Sequence, residues 1–240
     1  MRFCIRSGHE LTVDQLIQLF GQQVAGLYGR SLQDIDDERQ RAALRSTAAF
    51  VEQHMPRAHS FTGASAYDAK IELLEAAVGL APAEGLVLEF GVATGDTLSR
   101  IAAKRSPAHG FDSFEGLPED WRTGFTKGAF AQVAPTVPGA TLHVGWFEDT
   151  LPGFFATHPG PIAFAHIDAD LYSSTVTIFR EAEDRLVAGS VLLFDEYFNF
   201  PGWEQHEHKA FTEFIERSGH DFEYLAYNRL HEQVLVRLTS

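Results

Sequence analysis

Between residue 86 and the end of the chain, short and uniformly apolar runs alternate with stretches whose apolar side chains recur every three or four positions. The runs are Leu86–Phe90, His109–Asp112, Thr141–Val144, Ile162–Ile167 and Val191–Phe194. The helical stripes pass through Leu98 and Ile101, then through Val176, Phe179 and Leu186 ahead of Gly189, then through Phe211, Phe214 and Ile215 after Trp203. Strands that are apolar on both sides and separated by helices predict an α/β fold, a doubly wound and mostly parallel sheet covered on both faces. Two last runs, Phe222–Tyr227 and Gln233–Leu238, stand only about five residues apart. That gap is too short for a crossover helix, so these strands are expected to pair antiparallel.

The first 80 residues read differently. Thr12-Val13-Asp14-Gln15 has a capping-box pattern, and Val13, Leu16, Ile17, Phe20, Val24 and Leu27 form one apolar face, which predicts a helix over 12–28. A second helix is expected from Ile35 to Gln53, stopped before Pro56, and a third from Ser65, with Asp68 three positions on, to about Gly79. Residues 54–64 read as a loop, and no strand pattern is visible in this part. The expected division is a helical extension or lid over 1–80 and a Rossmann-like domain over 81–240.

Composition narrows the function. Nineteen Lys and Arg against 33 Asp and Glu give a net charge of −14, which repels nucleic-acid phosphates and anionic lipid. Cys4 stands alone, so no internal disulfide and no cysteine-based zinc cluster can form. No apolar run approaches the ~20 residues of a membrane span, and the first residues lack the apolar core of a secretory signal. A cytoplasmic protein acting on small molecules is the expectation. Apolar faces on the first two helices leave room for a homo-oligomer.

In a doubly wound sheet, ligands sit at the carboxyl ends of the strands where strand order reverses. The first strand ends in Glu89-Phe90-Gly91-Val92-Ala93-Thr94-Gly95, an E-x-G-x-x-x-G turn rather than the G-x-G-x-x-G of a pyrophosphate site. Asp112 closes the next strand, where a carboxylate can accept both hydroxyl protons of a ribose. Gly145-Trp146-Phe147-Glu148-Asp149 follows the third, with rings able to stack on a purine. These marks resemble the class I S-adenosylmethionine-dependent methyltransferases. The phrases Gly110-Phe111-Asp112-Ser113-Phe114-Glu115-Gly116-Leu117-Pro118 and His166-Ile167-Asp168-Ala169-Asp170-Leu171-Tyr172 sharpen the likeness to the macrocin O-methyltransferase family, which methylates sugar hydroxyls of macrolide and related antibiotics. The resemblance covers roughly residues 60–240. It implies that Glu89, Gly91 and Gly95 surround the methionine half of S-adenosylmethionine, that Asp112 and Ser113 take the ribose, and that Gly145, Trp146 and Phe147 flank the adenine.

Asp168 and Asp170 follow one apolar strand, and Asp195 and Glu196 follow another. Adjacent parallel strands lie ~4.8 Å apart, so the four acids can converge. Packed together they repel, and a hard divalent ion with oxygen ligands, Mg²⁺ above all, removes that cost. A metal on a sugar hydroxyl lowers its pKa and aims it at the sulfonium methyl group. By the resemblance Asp168, Asp195 and Glu196 are the metal ligands and Asp170 the base, so that Asp168 and Asp170 form the catalytic pair. The family commonly has Asp-Asp-Tyr where this chain has Asp195-Glu196-Tyr197, a ligand one methylene longer. Residues 119–140 read as a long aromatic loop able to cover the acceptor, with Trp203 as a further wall. The expected function is thus S-adenosylmethionine-dependent, Mg²⁺-assisted O-methylation of a sugar or similar small natural product, releasing S-adenosylhomocysteine. A nicotinamide-dependent oxidoreductase and a non-catalytic S-adenosylmethionine binder are the competing readings.

Overall fold

Each strand of the second half sends alternate side chains to opposite faces, and both faces are apolar. In Val191–Phe194, Val191 and Leu193 enter one core while Leu192 and Phe194 enter the other. Such strands bury both sides only between two layers of helix, and the computed structural model, which describes residues 2–4, 10–12 and 34–240, has that arrangement. Strands β1 (Arg2–Cys4) and β2 (Glu10–Thr12) form an antiparallel pair. Helix α1 (Ile35–His54), β3 (His59–Phe61) and α2 (Ala66–Leu80) follow. Then come β4 (Leu86–Phe90), α3 (Asp96–Lys104), β5 (Ala108–Asp112), β6 (Ala140–Val144), α4 (Phe147–Thr157), β7 (Ile162–Ile167) and α5 (Tyr172–Ala182). The chain ends with β8 (Val191–Phe194), α6 (Glu207–Ser218), β9 (Phe222–Asn228) and β10 (Val234–Leu238).

Eight strands form one sheet in the order β3-β9-β10-β8-β7-β4-β5-β6. All neighbours are parallel except that β10 runs against both β8 and β9, the latter as the short gap between them requires. From β4 the chain steps outward to β5 and β6, then returns to β7 on the other side of β4. The order therefore reverses at the β4–β7 pair, which opens a crevice above their carboxyl ends. One core joins α2 and α3 to the sheet through Leu73, Leu74, Leu98 and Ile101. The other holds Phe154 and Phe155 of α4, Phe179 of α5, and Phe211 and Phe214 of α6.

The early strands correct the expectation of an all-helical first 80 residues. Three strands lie there, and β3, only three residues long, joins the main sheet beside β9. The predicted helix over 12–28 lies outside the described residues beyond Thr12, which ends β2. The other two helices fall within a residue or so of their predicted ends. Asp34 caps α1 by accepting from the amides of Asp36 and Asp37, and Ser65 caps α2 by accepting from that of Asp68. Among the described residues, no helix is long and apolar enough to cross a membrane.

Outside the lining of the crevice, His109 on β5 and His143 on β6 lie Nδ1 to Nε2 at 3.1 Å, and the rings of Phe154 and His158 pack on both. Burial, then the proximity of His143 and His158, pushes His109 down to about 4. The folded state thus binds fewer protons than the unfolded chain, whose histidines titrate near ~6.5, so stability is present above that pH and lost as pH falls toward 4. We expect the thermal midpoint to drop over this window by scanning calorimetry, and a His109→Gln variant to show a shallower drop.

Candidate active site

The turn after β4 is held in place by its glycine. Gly91 has φ +88°, and a Cβ there would lie 1.7 Å from the backbone oxygen of Asp168. Only a hydrogen fits between the two turns. The Asp168 amide donates to the Phe90 carbonyl at 2.8 Å, so the tips of β4 and β7 are fastened together. Ala93, at φ 45°, continues the bend into α3. Asp112 braces it: its Oδ2 accepts from the amides of Val92 and Ala93, both at 2.9 Å, and its Oδ1 accepts from that of Phe114 at 2.7 Å. Oδ1, with one donor, can accept one more hydrogen bond.

These residues line a cavity of about 600 Å³, of the size that takes a cofactor and a small second molecule. On one side stand Gly91, Asp112, Ser113, Gly145, Trp146 and Phe147, as the sequence leads one to expect. On the other lie Asp168, Asp170, Asp195 and Glu196, with Trp121, Arg122, Phe125 and Phe130 forming an outer aromatic wall. Arg122 donates to both carboxylate oxygens of Glu232, at 3.0 and 3.1 Å, and its guanidinium lies 3.9 Å from the Trp121 ring centre. Glu119 accepts from the Ser173 hydroxyl at 2.6 Å. Residues 119–140, which carry an isolated bridge between Arg122 and Phe125 and no longer element, are thereby tied to α5 and to the β9–β10 turn.

Three expected residues stand elsewhere. Glu89 is fully buried and does not line the cavity; its Oε1 meets His166 Nδ1 at 2.8 Å. Gly95 caps α3 at φ +81° and is covered by Pro135 and Val137 of the long segment. Trp203 is no wall of the cavity: it is buried against Phe50 and His208, with its Nε1 donating to Ser46.

The acid cluster forms, and its ligand atoms fall into two groups that share Asp168. Asp168, Asp170 and Glu196 each offer an oxygen, all within 4.8 Å of one another. Asp195 belongs to a second group, with Asp168 and His166, whose ligand atoms lie equally close, and its Oδ1 is buried without a hydrogen-bond partner. Its Oδ2 lies 2.7 Å from the ammonium of Lys70, and its Oδ1 lies 3.5 Å from His166 Nε2. Lys70 also stands 3.7 Å from Asp168. Burial would raise the Asp195 carboxyl, yet the charges of Lys70 and His166 outweigh it and hold Asp195 well below the carboxylate range. The other acids go the opposite way. Burial and the Asp195 charge push Asp168 up to about 6, despite Lys70. Burial and Asp168 push Asp170 up to about 8, and Glu196 rises well above its ordinary value through burial and then Asp195. Burial would neutralise His166, but its bonds to Asp195 and Glu89 carry it up to about 10. Lys70 is raised as well, because its carboxylate partners outweigh the burial that opposes its charge, so it stays an ammonium.

Two residues of this site went unread in the sequence. Lys70 shares the stripe of Leu73, Leu74 and Ala77, all buried, so a charge on that face was the available signal. Glu207 carries none; it is fully buried, its oxygens accepting from the amides of Ala169 at 3.3 Å and Glu196 at 3.1 Å. The donor set of Asp168, Asp170 and Glu196 fits a hard divalent cation, since all its atoms are oxygens and Glu196 Oε2 is buried with no hydrogen-bond partner.

Residues 88–197 match the family model of a methyltransferase domain. A stretch of 53 residues is 40% identical to the 8-demethyl-8-(2,3-dimethoxy-alpha-L-rhamnosyl)-tetracenomycin-C 4'-O-methyltransferase of Streptomyces olivaceus, and spans 22% of this chain but only 19% of that protein. In fold, the chain is similar to the calicheamicin methyltransferase CalS11 (TM-score 0.57, 22% identity, 70% of this chain and 77% of that one). It is likewise similar to the O-methyltransferase NovP (TM-score 0.55, 20% identity, 71% and 80%).

Two variants probe the frame of the site. Gly91→Ala is expected to displace the Asp168 turn and abolish binding of an adenosine cofactor, read by calorimetry. Glu89→Ala leaves the His166 charge buried without its closest partner and is expected to cost about 3–5 kcal/mol in denaturant unfolding.

Proposed function

We propose, from the match of residues 88–197 to a methyltransferase-domain model, that the protein transfers the methyl group of S-adenosylmethionine to a hydroxyl of a sugar carried by a small natural product. The observation that carries this reading is a single cavity with a glycine turn and ribose-ready acid on one side and four carboxylates on the other. The tetracenomycin enzyme, named for a sugar 4'-O-methylation, supports a sugar hydroxyl as acceptor.

In this reading Asp112 takes a ribose hydroxyl on the remaining acceptor site of Oδ1, and Trp146 and Phe147 flank the adenine. Gly91 lets the methionine half approach the backbone. The sulfonium supplies an electrophilic methyl group: its C–S bond breaks as the acceptor oxygen forms the new C–O bond, and S-adenosylhomocysteine leaves. Asp170, in its ionised form, takes the hydroxyl proton. Its left-handed backbone, φ 59°, turns its carboxylate toward the cluster at the cavity rather than into the start of α5, which begins only at Tyr172. A divalent cation, Mg²⁺ by the chemistry of the donors, would be held by Asp168, Asp170 and Glu196, and would supply a Lewis acid that lowers the pKa of the hydroxyl. Asp195, the other expected ligand, pairs with Lys70 and lies 3.5 Å from His166 Nε2. The wall of Trp121, Phe125 and Phe130 offers flat apolar faces for the sugar ring, and segment 119–140 excludes water above it.

S-Adenosylhomocysteine is expected to bind the wild type and the Asp170→Asn variant alike in calorimetry. In a mass-spectrometric screen of glycosylated acceptors, the variant is expected to lose about 10²–10⁴-fold in methylation rate. Absence of S-adenosylhomocysteine binding in the wild type refutes the proposal.

A further inference from the structure

The amino-acid tail of S-adenosylmethionine is a zwitterion, and a carboxylate brought into a cavity lined by acids needs a cation to meet it. Among the described residues, two side chains that line the cavity carry a positive charge, Lys70 and Arg122. Arg122 is already committed: its guanidinium donates to both carboxylate oxygens of Glu232 and lies against the Trp121 ring in the outer aromatic wall. Lys70 stands differently. Tyr67, three positions earlier and on the same side of α2, donates to Asp96 Oδ2 at 2.7 Å, and Asp96 opens α3 directly after the glycine turn. That bond ties α2 to the turn, and Lys70 lines the cavity together with Gly91 and Ala93. Its ammonium has three N–H donors. Asp195 Oδ2 takes one at 2.7 Å, and Asp168 Oδ2, at 3.7 Å, lies beyond hydrogen-bond reach, so two donors remain.

We propose that Lys70 binds the α-carboxylate of the S-adenosylmethionine tail through the N–H donors that Asp195 leaves over. The assignment rests on the reading above, since it places that cofactor in the cavity. The tail then meets alternating charges: its carboxylate meets Lys70, and its ammonium, one carbon away, meets the acids at the tip of β7. Each group of the zwitterion finds the opposite sign, and neither is buried unpaired. Asp195 gives up nothing in this arrangement, because its Oδ1 stays without a hydrogen-bond partner and open to a cation. Lys70 is thus a specificity residue for the cofactor: it favours an intact amino-acid tail over a nucleoside that lacks the carboxylate.

The test is calorimetric binding of two ligands to the whole protein: S-adenosylhomocysteine, and its decarboxylated analogue, which keeps the amine. Lys70→Met is expected to weaken S-adenosylhomocysteine by about 10- to 100-fold, the worth of a hydrogen bond between charged partners, and to bind the analogue as tightly as the wild type or more so. An equal loss for both ligands, or no loss for either, overturns the proposal. Where Lys70→Met fails to fold, the wild type labelled with ¹⁵N-lysine is read by NMR. The Lys70 ammonium signal, identified by its absence in Lys70→Arg, is expected to shift with S-adenosylhomocysteine and to hold its place with the analogue. A signal that answers to both alike, or to neither, overturns the proposal as well. If neither ligand binds the wild type, the methyltransferase reading falls and takes this assignment with it, whereas binding of both without any part for Lys70 overturns the assignment alone.

Discussion

Four carboxylates meet at the tips of β7 and β8, and fewer cations meet them there. Lys70 and His166 flank Asp195, while Asp168, Asp170 and Glu196 crowd together beside it. That imbalance organises the site. It raises the proton affinity of three acids, lowers that of the fourth, and leaves a buried oxygen of Glu196 without a partner. Such a cluster is costly to fold and is kept where a positive charge is to be received, whether a metal ion or a proton from a hydroxyl.

The sheet makes the imbalance useful. Because strand order reverses between β4 and β7, the glycine turn and the acid turn rise side by side, fastened by the amide of Asp168 and separated at Gly91 by no more than a hydrogen. In the proposed reaction a methyl donor held by one turn would face an acceptor held by the other across a short distance, where orientation supplies a large part of a rate advantage. The segment over 119–140, pinned through Arg122 and Glu119, closes the outer side with aromatic rings.

The doubly wound sheet was legible from residue 86 onward because its strands are apolar on both faces and its helices are periodic, and both signals are local. The antiparallel β10 was legible from loop length alone. The turn at Gly91, the acid at Asp112 and the four carboxylates were legible because each follows a strand end. What escaped depends on contacts distant in sequence. A three-residue strand such as β3 has no periodicity to read and exists because β9 offers it an edge. The direction of Asp195 depends on a lysine 125 residues earlier, and Glu89 faces His166 rather than the cavity because β4 and β7 happen to be adjacent. Trp203 was drawn to the cavity by its aromatic character, whereas Ser46 and Phe50 on α1 bury it elsewhere.

Glu207 gives the arrangement a mechanical character. One carboxylate, rooted in the first turn of α6, grips the amide of Ala169 with one oxygen and that of Glu196 with the other. It works as a strut between the two loops, alongside the Lys70 bridge from Asp168 to Asp195. A tilt of α6 is delivered to both loops at once, so the acids travel as a unit and their mutual spacing survives movements that would otherwise pry them apart.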